Sequence, residues 1–155
     1  MIRIWTLENE RNEAYSYDGN SNRVSLTENG KNRNYIYYKN AADGNTARVM
    51  SDGKWWYTYD ANRNRTARAR TATQKDNTVT LNKNFEYWEY TWDYHNRLVK
   101  VEQHNAPDNS QNVVVEYTYD AMNHRIERES RTKSTVETTQ YAYGRNGALI
   151  YQKQI

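Results

Sequence analysis

Tyr57-Thr58-Tyr59-Asp60-Ala61-Asn62-Arg63-Asn64-Arg65 is the stretch from which the rest of the chain can be read. Two aromatic residues at alternate positions share one face of an extended strand, and the Asp that follows ends it. The arrangement returns as Tyr15-Ser16-Tyr17-Asp18, Tyr90-Thr91-Trp92-Asp93 and Tyr117-Thr118-Tyr119-Asp120. Tyr141-Ala142-Tyr143-Gly144 keeps the rings without the Asp, and Tyr38-Lys39-Asn40-Ala41 is a decayed sixth copy. A unit that recurs this often is the fold itself. It points to an extended surface or wall, away from a single active site.

Outward from each unit the period stays at two. Trp55, Tyr57 and Tyr59 fall on one face, with Trp56 and Thr58 on the other. Trp88, Tyr90 and Trp92 form a second stripe, and Val113, Val115, Tyr117 and Tyr119 a third. Arg23–Leu26, Leu98–Val101 and Arg125–Arg128 read as the strands returning after each turn. No helix of useful length is legible. The carboxylates of Asp18, Asp60, Asp93 and Asp120 are placed to accept from the backbone two residues on, which starts a type I turn. Three residues past each mark a left-handed residue is expected, and there stand Ser21, Gly44, Arg63, Asn96, Asn123 and Gly147. Gly and Asn suit that conformation; Ser21 and Arg63 predict a different turn.

The marks Asp18, Ala41, Asp60, Asp93, Asp120 and Gly144 are spaced by 23, 19, 33, 27 and 24 residues. Each interval holds roughly two strands of ordinary length. Unequal spacing predicts a meander of hairpins with loops at 71–78, at 103–112 around Pro107, and at 130–135. The expected fold is all-β: one curved, strongly twisted sheet of antiparallel hairpins, a single domain over residues 1–155.

Composition bounds the rest. The 155 residues are only 36% hydrophobic, but 15 Tyr and 5 Trp supply burial area, and a net charge of +3 does little to hold the chain open. Without cysteine there is no disulfide, thiolate metal site or Cys nucleophile. No run approaches the roughly 18 apolar residues of a membrane helix, and the first ten residues do not read as a signal peptide. The basic run Arg63, Arg65, Arg68 and Arg70 reads as a solvated strand face, and nucleic acid is not expected as a partner.

The Tyr-x-Tyr-Asp units, with Arg23, Arg65 and Arg125 closing three of them, resemble the YD repeat, also called the Rhs repeat. The copies span about residues 15 to 151, nearly the whole chain. The resemblance implies a ribbon of β-hairpins spiralling into a hollow shell, as in bacterial Rhs proteins, insecticidal toxin complexes, wall-associated proteins and animal teneurins. In the bacterial toxins such a shell encloses a C-terminal toxin domain and is closed by a segment with an Asp-Pro-x-Gly motif. This chain has no Asp-Pro pair, so neither self-cleavage nor a toxin domain is carried over. At this length the chain corresponds to a fraction of a shell. Its Asn- and Tyr-rich character suits a bacterial source, and the resemblance implies a secreted or cell-surface location within a larger protein.

Asp18-Gly19-Asn20-Ser21-Asn22 and Asp60-Ala61-Asn62-Arg63-Asn64 are similar to the first half of a calcium loop, but Arg23 and Arg65 stand where Gly should, and Asn29 and Thr71 where Glu should. Capping of turns is preferred, and no metal or other cofactor is expected. His95, His104 and His124 share no ligand spacing. No nucleophile elbow, phosphate-cradling loop or distinct carboxylate pair suggests catalysis. Glu86, Glu89 and Glu116 read as solvated or cross-strand partners. Structural roles therefore fall to Tyr15, Tyr17, Asp18, Tyr57, Tyr59, Asp60, Tyr90, Trp92, Asp93, Tyr117, Tyr119, Asp120, Tyr141 and Tyr143.

The expected function is a non-enzymatic structural module whose inner face contacts an enclosed polypeptide. A second reading is a carbohydrate- or cell-wall-binding surface using Trp55, Trp56, Trp88 and Trp92; Trp55-Trp56-Tyr57 after Asp52-Gly53-Lys54 is similar to cell-wall-binding repeats. A third is adhesion or self-association through exposed strand edges.

Overall fold

A computed structural model describes residues 12–42, 44–105 and 110–155. Residues 1–11, 43 and 106–109 lie outside it, and with them the N-terminal stretch read above and Pro107.

The described chain is a meander of antiparallel strands without a helix. β1 (Glu13–Tyr17), β2 (Arg23–Glu28) and β3 (Lys31–Asn34) form a three-stranded sheet. A ten-stranded sheet follows: β4 (Ile36–Lys39), β5 (Asn45–Ser51), β6 (Trp56–Tyr59), β7 (Arg65–Ala69), β10 (Tyr87–Trp92), β11 (Leu98–Asn105), β12 (Ser110–Tyr119), β13 (Arg125–Thr132), β14 (Val136–Tyr143) and β15 (Leu149–Gln154). Its spatial order is the chain order, open at β4 and β15, interrupted only where β8 (Ala72–Lys75) and β9 (Thr78–Leu81) make a separate hairpin. The expected β-hairpin architecture is therefore present, most of it in one sheet.

The expected loops are shorter than the sequence suggested. Residues 71–78 hold β8 and the turn into β9, because Thr and Val at alternate positions favour pairing even in an insertion. β11 runs on to Asn105, β12 starts at Ser110 and β13 runs to Thr132, so the described residues of 103–112 and half of 130–135 are strand.

The sheet has two unlike faces. Cross-strand pairing puts Tyr57 opposite Arg68, Arg68 opposite Trp88, Tyr90 opposite Val101, Val101 opposite Val115 and Tyr117 opposite Arg128. Paired residues point the same way, so these aromatic, Val and Arg side chains share one face. Trp55, Tyr57, Val101 and Val115 on it are buried. The reverse face carries Glu89 opposite Glu102, and Lys100, Glu116 and Glu129 in one row.

The β8–β9 hairpin folds over the reverse face. Lys83, just past β9, lies over the Tyr87 ring and pairs with Glu89 at 2.6 Å, both reverse-face residues. β9 lies against β6, and Ala67 and Ala69 on the reverse face of β7 are buried. Residues so small need a layer above them to be buried, and the hairpin supplies it. Its tip reaches the sheet edge. Lys39 N–H donates to Asn77 Oδ1 at 2.7 Å, and Asn77 Nδ2 donates to the Lys39 carbonyl at 2.9 Å. One Asn side chain thus stands in for a neighbouring strand at β4.

Candidate functional site

Every Tyr-x-Tyr-Asp unit builds the same turn. The N–H of Asp18, Asp60, Asp93, Asp120 and Gly144 donates to the carbonyl four residues on at 2.9 Å. The residue three past the mark donates back to the mark's carbonyl and has positive φ: Ser21 63°, Arg63 70°, Asn96 59°, Asn123 67° and Gly147 75°. Ser21 and Arg63 therefore do not take the different turn expected of them. The hydrogen-bonded frame imposes the left-handed conformation despite its cost of about 1–2 kcal/mol for a residue with a Cβ.

The Asp carboxylate does two jobs. Its Oδ1 accepts backbone N–H groups: from Asn20 and Asn22 at Asp18, from Asn64 at Asp60, from His95 and Arg97 at Asp93, and from Met122 and His124 at Asp120. Its Oδ2 accepts from the side chain four residues on: Asn22, Asn64, Arg97 or His124, at 2.7–3.1 Å. Asp18 also accepts from Asn45 Nδ2 at 2.8 Å. Hydrogen bonds from Asn45 and Asn22 hold its carboxyl down at about 2. At Asp93 and Asp120 burial pushes the pKa up, but donors from Arg97 and His124 outweigh it and the net shift is downward. These oxygens are engaged by turn donors.

The decayed copy needs a correction. Asn40, one place before the expected mark Ala41, takes the Asp position. Its Oδ1 accepts from Ala42 and Gly44 N–H, and its N–H donates to the Gly44 carbonyl. An amide oxygen replaces a carboxylate, so the acceptor is kept; only Gly144 dispenses with it.

The second ring of four units, all but that of Tyr17, is also a hydrogen-bond donor to the preceding strand. Trp92 Nε1 donates to the Arg65 carbonyl at 2.8 Å, Tyr119 to Leu98 at 2.8 Å, Tyr143 to Arg125 at 3.0 Å and Tyr59 to Val49 at 3.0 Å. Tyr37 does the same for Arg23 at 2.8 Å. The repeats are stapled through these bonds and through their turns. Asn64 Nδ2 donates to Asn96 Oδ1 at 2.7 Å, Arg97 to Asn123 at 3.0 Å, and His124 stacks on Tyr143 at 4.6 Å.

The first ring of the unit supports an arginine. The guanidinium of Arg23 lies over Tyr15 at 4.5 Å, that of Arg65 over Tyr57 at 4.1 Å, and that of Arg125 over Tyr117 at 5.5 Å and Tyr141 at 4.8 Å. Arg68 lies over both Trp55 and Trp88, at 4.4 and 4.6 Å, and Arg70 over Trp55 at 3.8 Å while pairing with Glu86 at 3.1 Å. The basic run is thus solvated only in part: Arg63 and Arg70 are exposed and Arg65 and Arg68 half-buried, Arg63 closing a turn and the other three covering aromatic rings. Burial, then a hydrogen bond to Asp52 at 2.6 Å, raises the pKa of Tyr57.

Sequence reasoning missed the device that puts these arginines there. Register shifts leave one extra residue on each returning strand, opposite Tyr17, Tyr59, Trp92, Tyr119 and Tyr143. The extra residues are Val24, Thr66, Val99, Ile126 and Ile150, each six past its mark. Simple alternation from Ala67 would send Arg65 to the reverse face; the bulge turns it onto the aromatic one. The signal was a β-branched residue at that place in all five copies.

Of the four tryptophans proposed as ligand contacts, Trp55 is buried beneath arginines, Trp88 is covered by Arg68 and donates to Glu86 at 3.2 Å, and Trp92 is half-buried with its N–H satisfied. Trp56 stands apart from these three, half-buried on the reverse face opposite Ala69 and Ser51.

No protein-family model matches the chain, and no curated protein matches it. A solved structure does: a chain in the crystal structure of TcdB2-TccC3-Cdc42 is similar over 96% of this chain, with a TM-score of 0.62 and 17% identity. The match covers 8% of that chain. At this identity the likeness is one of fold. The fold is of the YD/Rhs-repeat type, all-β and built from β-hairpin repeats.

Proposed function

We propose that this chain is a non-enzymatic structural module, one segment of a wall in a larger secreted or surface-exposed protein, whose aromatic face contacts an enclosed polypeptide. Residues 1–155 act in it as a single unit of about six repeats. One observation carries the reading. The second aromatic of four units bonds to the preceding strand, as Tyr143 does to Arg125, and turn residues bond to neighbouring turns or strands, as Asp18 does to Asn45, Asn64 to Asn96 and Arg97 to Asn123. Residues spent on joining repeat to repeat are what a wall requires. The fold shared with TcdB2-TccC3-Cdc42 supports the same reading.

The test is binding of a permanently unfolded polypeptide and of its folded counterpart, followed by sedimentation velocity. The unfolded form is expected to bind and the folded one not. Binding to neither, with glycan-array binding that is lost in Trp56→Ala, would replace the wall by the carbohydrate reading.

Self-association has its own support. β15 is exposed along its whole length, with Leu149, Ile150 and Tyr151 each more than half accessible, and among the described residues no strand pairs with its outer edge. A second copy of the chain is the occupant proposed for it.

A further inference from the structure

Two arginine pairs occupy equivalent places on the aromatic face: Arg65 and Arg68 on β7, Arg125 and Arg128 on β13. Among the described residues none of the four makes a side-chain hydrogen bond or an ion pair; three of them lie over aromatic rings. The Nε atoms of Arg65, Arg68 and Arg125 are buried without a partner. This is not for want of carboxylates. Glu89, Glu102, Glu116 and Glu129 lie on the reverse face, where they pair with Lys83, Lys100 and Arg131. On the aromatic face the Glu86 carboxylate is taken by Arg70 and Trp88, which leaves these four guanidinium groups without a paired carboxylate, three of them held flat by rings. A guanidinium fixed in that way presents its N–H edge without further loss of freedom, and a carboxylate is its geometric match.

From this, and resting on the proposed contact with a polypeptide, we infer that the aromatic face docks an acidic polypeptide segment through these two arginine pairs. β10, β11 and β12 separate the pairs, which places them about 19 Å apart across the sheet at ordinary strand spacing. An extended peptide covers that distance in about six residues. Tyr90, Val101 and Val115 form the floor between them. The segment that fits has two acidic clusters about six residues apart, joined by apolar residues.

The test uses the whole chain and three fluorescein-labelled probes followed by anisotropy. They are an unstructured peptide with two Glu pairs six residues apart around a Leu/Val centre, the same peptide with Gln for Glu, and single-stranded oligothymidine. The Glu peptide is expected to bind at least tenfold more tightly than the Gln peptide and than the oligonucleotide, and to weaken as salt is raised. R65Q/R68Q and R125Q/R128Q should each lose about tenfold, and K100Q/R131Q on the reverse face should lose nothing. The probe comparison needs no variant, so it holds even if an arginine variant fails to fold. Equal binding of the Glu and Gln peptides would overturn this inference and leave the wall reading standing. No binding of either would overturn both. Tighter binding of the oligonucleotide would overturn the choice of a polypeptide.

Discussion

The hydroxyl of Tyr119 on β12 donates to the carbonyl of Leu98 on β11 at 2.8 Å, across the boundary between two repeats. The ring contributes area, but the hydroxyl fixes which strand comes next. Tyr119→Phe keeps the ring and orphans the carbonyl, so it should cost about 1 kcal/mol. Urea denaturation should show a lower midpoint with an unchanged slope. No change in midpoint would mean that the hydroxyl is not a staple.

Arg63 and Ser21 sit at positive φ without being glycine or asparagine. Arg63→Gly should stabilise the chain by about 0.5–1 kcal/mol, the strain relieved exceeding the cost of the entropy that glycine adds to the unfolded state. Gly147→Ala should do the opposite, since φ is 75° and an added Cβ would stand 3.2 Å from His124 Nε2. Thermal denaturation of the two variants reads both signs.

Asp18 couples the fold to acid. Its folded pKa of about 2 lies below the 3.8 of an unperturbed aspartate. The stabilisation is therefore complete above the unfolded value and is lost as pH falls from there through the folded one. The titration midpoint of the Asp18 carboxyl carbon, followed by NMR, should lie near the lower figure. Asn45→Ala should move it upward, because the Asn45 hydrogen bond is the leading cause of the shift.

Asn77 occupies the outward backbone groups of Lys39. Asn77→Ala should release the hairpin tip and raise the exchange rate of the Lys39 amide at least tenfold. Other amides of β4 and β5 should change little. Uniform protection across wild type and variant would show that the hairpin does not guard the edge.

β15 carries one charge, Lys153, and none along Leu149, Ile150 and Tyr151. Lysine is the usual guard of such an edge. Light scattering of the wild-type chain should show association with concentration, and Ile150→Lys should shift it towards monomer. A wild-type chain that stays monomeric throughout would refute edge pairing.

Strands, turns and repeat boundaries were legible because each rests on short-range chemistry. Alternation at Trp88 and Tyr90 survives in the structure, since the pleat forces it. The Asp turns were legible because their bonds span at most four residues. The hairpin within 71–78 is not legible because β8, Ala72-Thr73-Gln74-Lys75, has no apolar stripe and only β9 alternates. Aromatic spacing points to Ala41 as the decayed mark, but the register there follows the hydrogen bonds of the turn, which centre on Asn40.

What the sequence by itself determined is an all-β meander of aromatic strands and Asp-capped turns, because pleat and turn are local. What the tertiary structure decided is where the arginines go. Whether Arg65 covers Tyr57 or faces the reverse side depends on a bulge opposite Tyr59, and a bulge exists only in relation to the strand it pairs with. The same holds for the placing of Glu89, Glu102, Glu116 and Glu129 on the reverse face, away from Arg65 and Arg125: it arises from register across several strands, a long-range property that no single repeat contains.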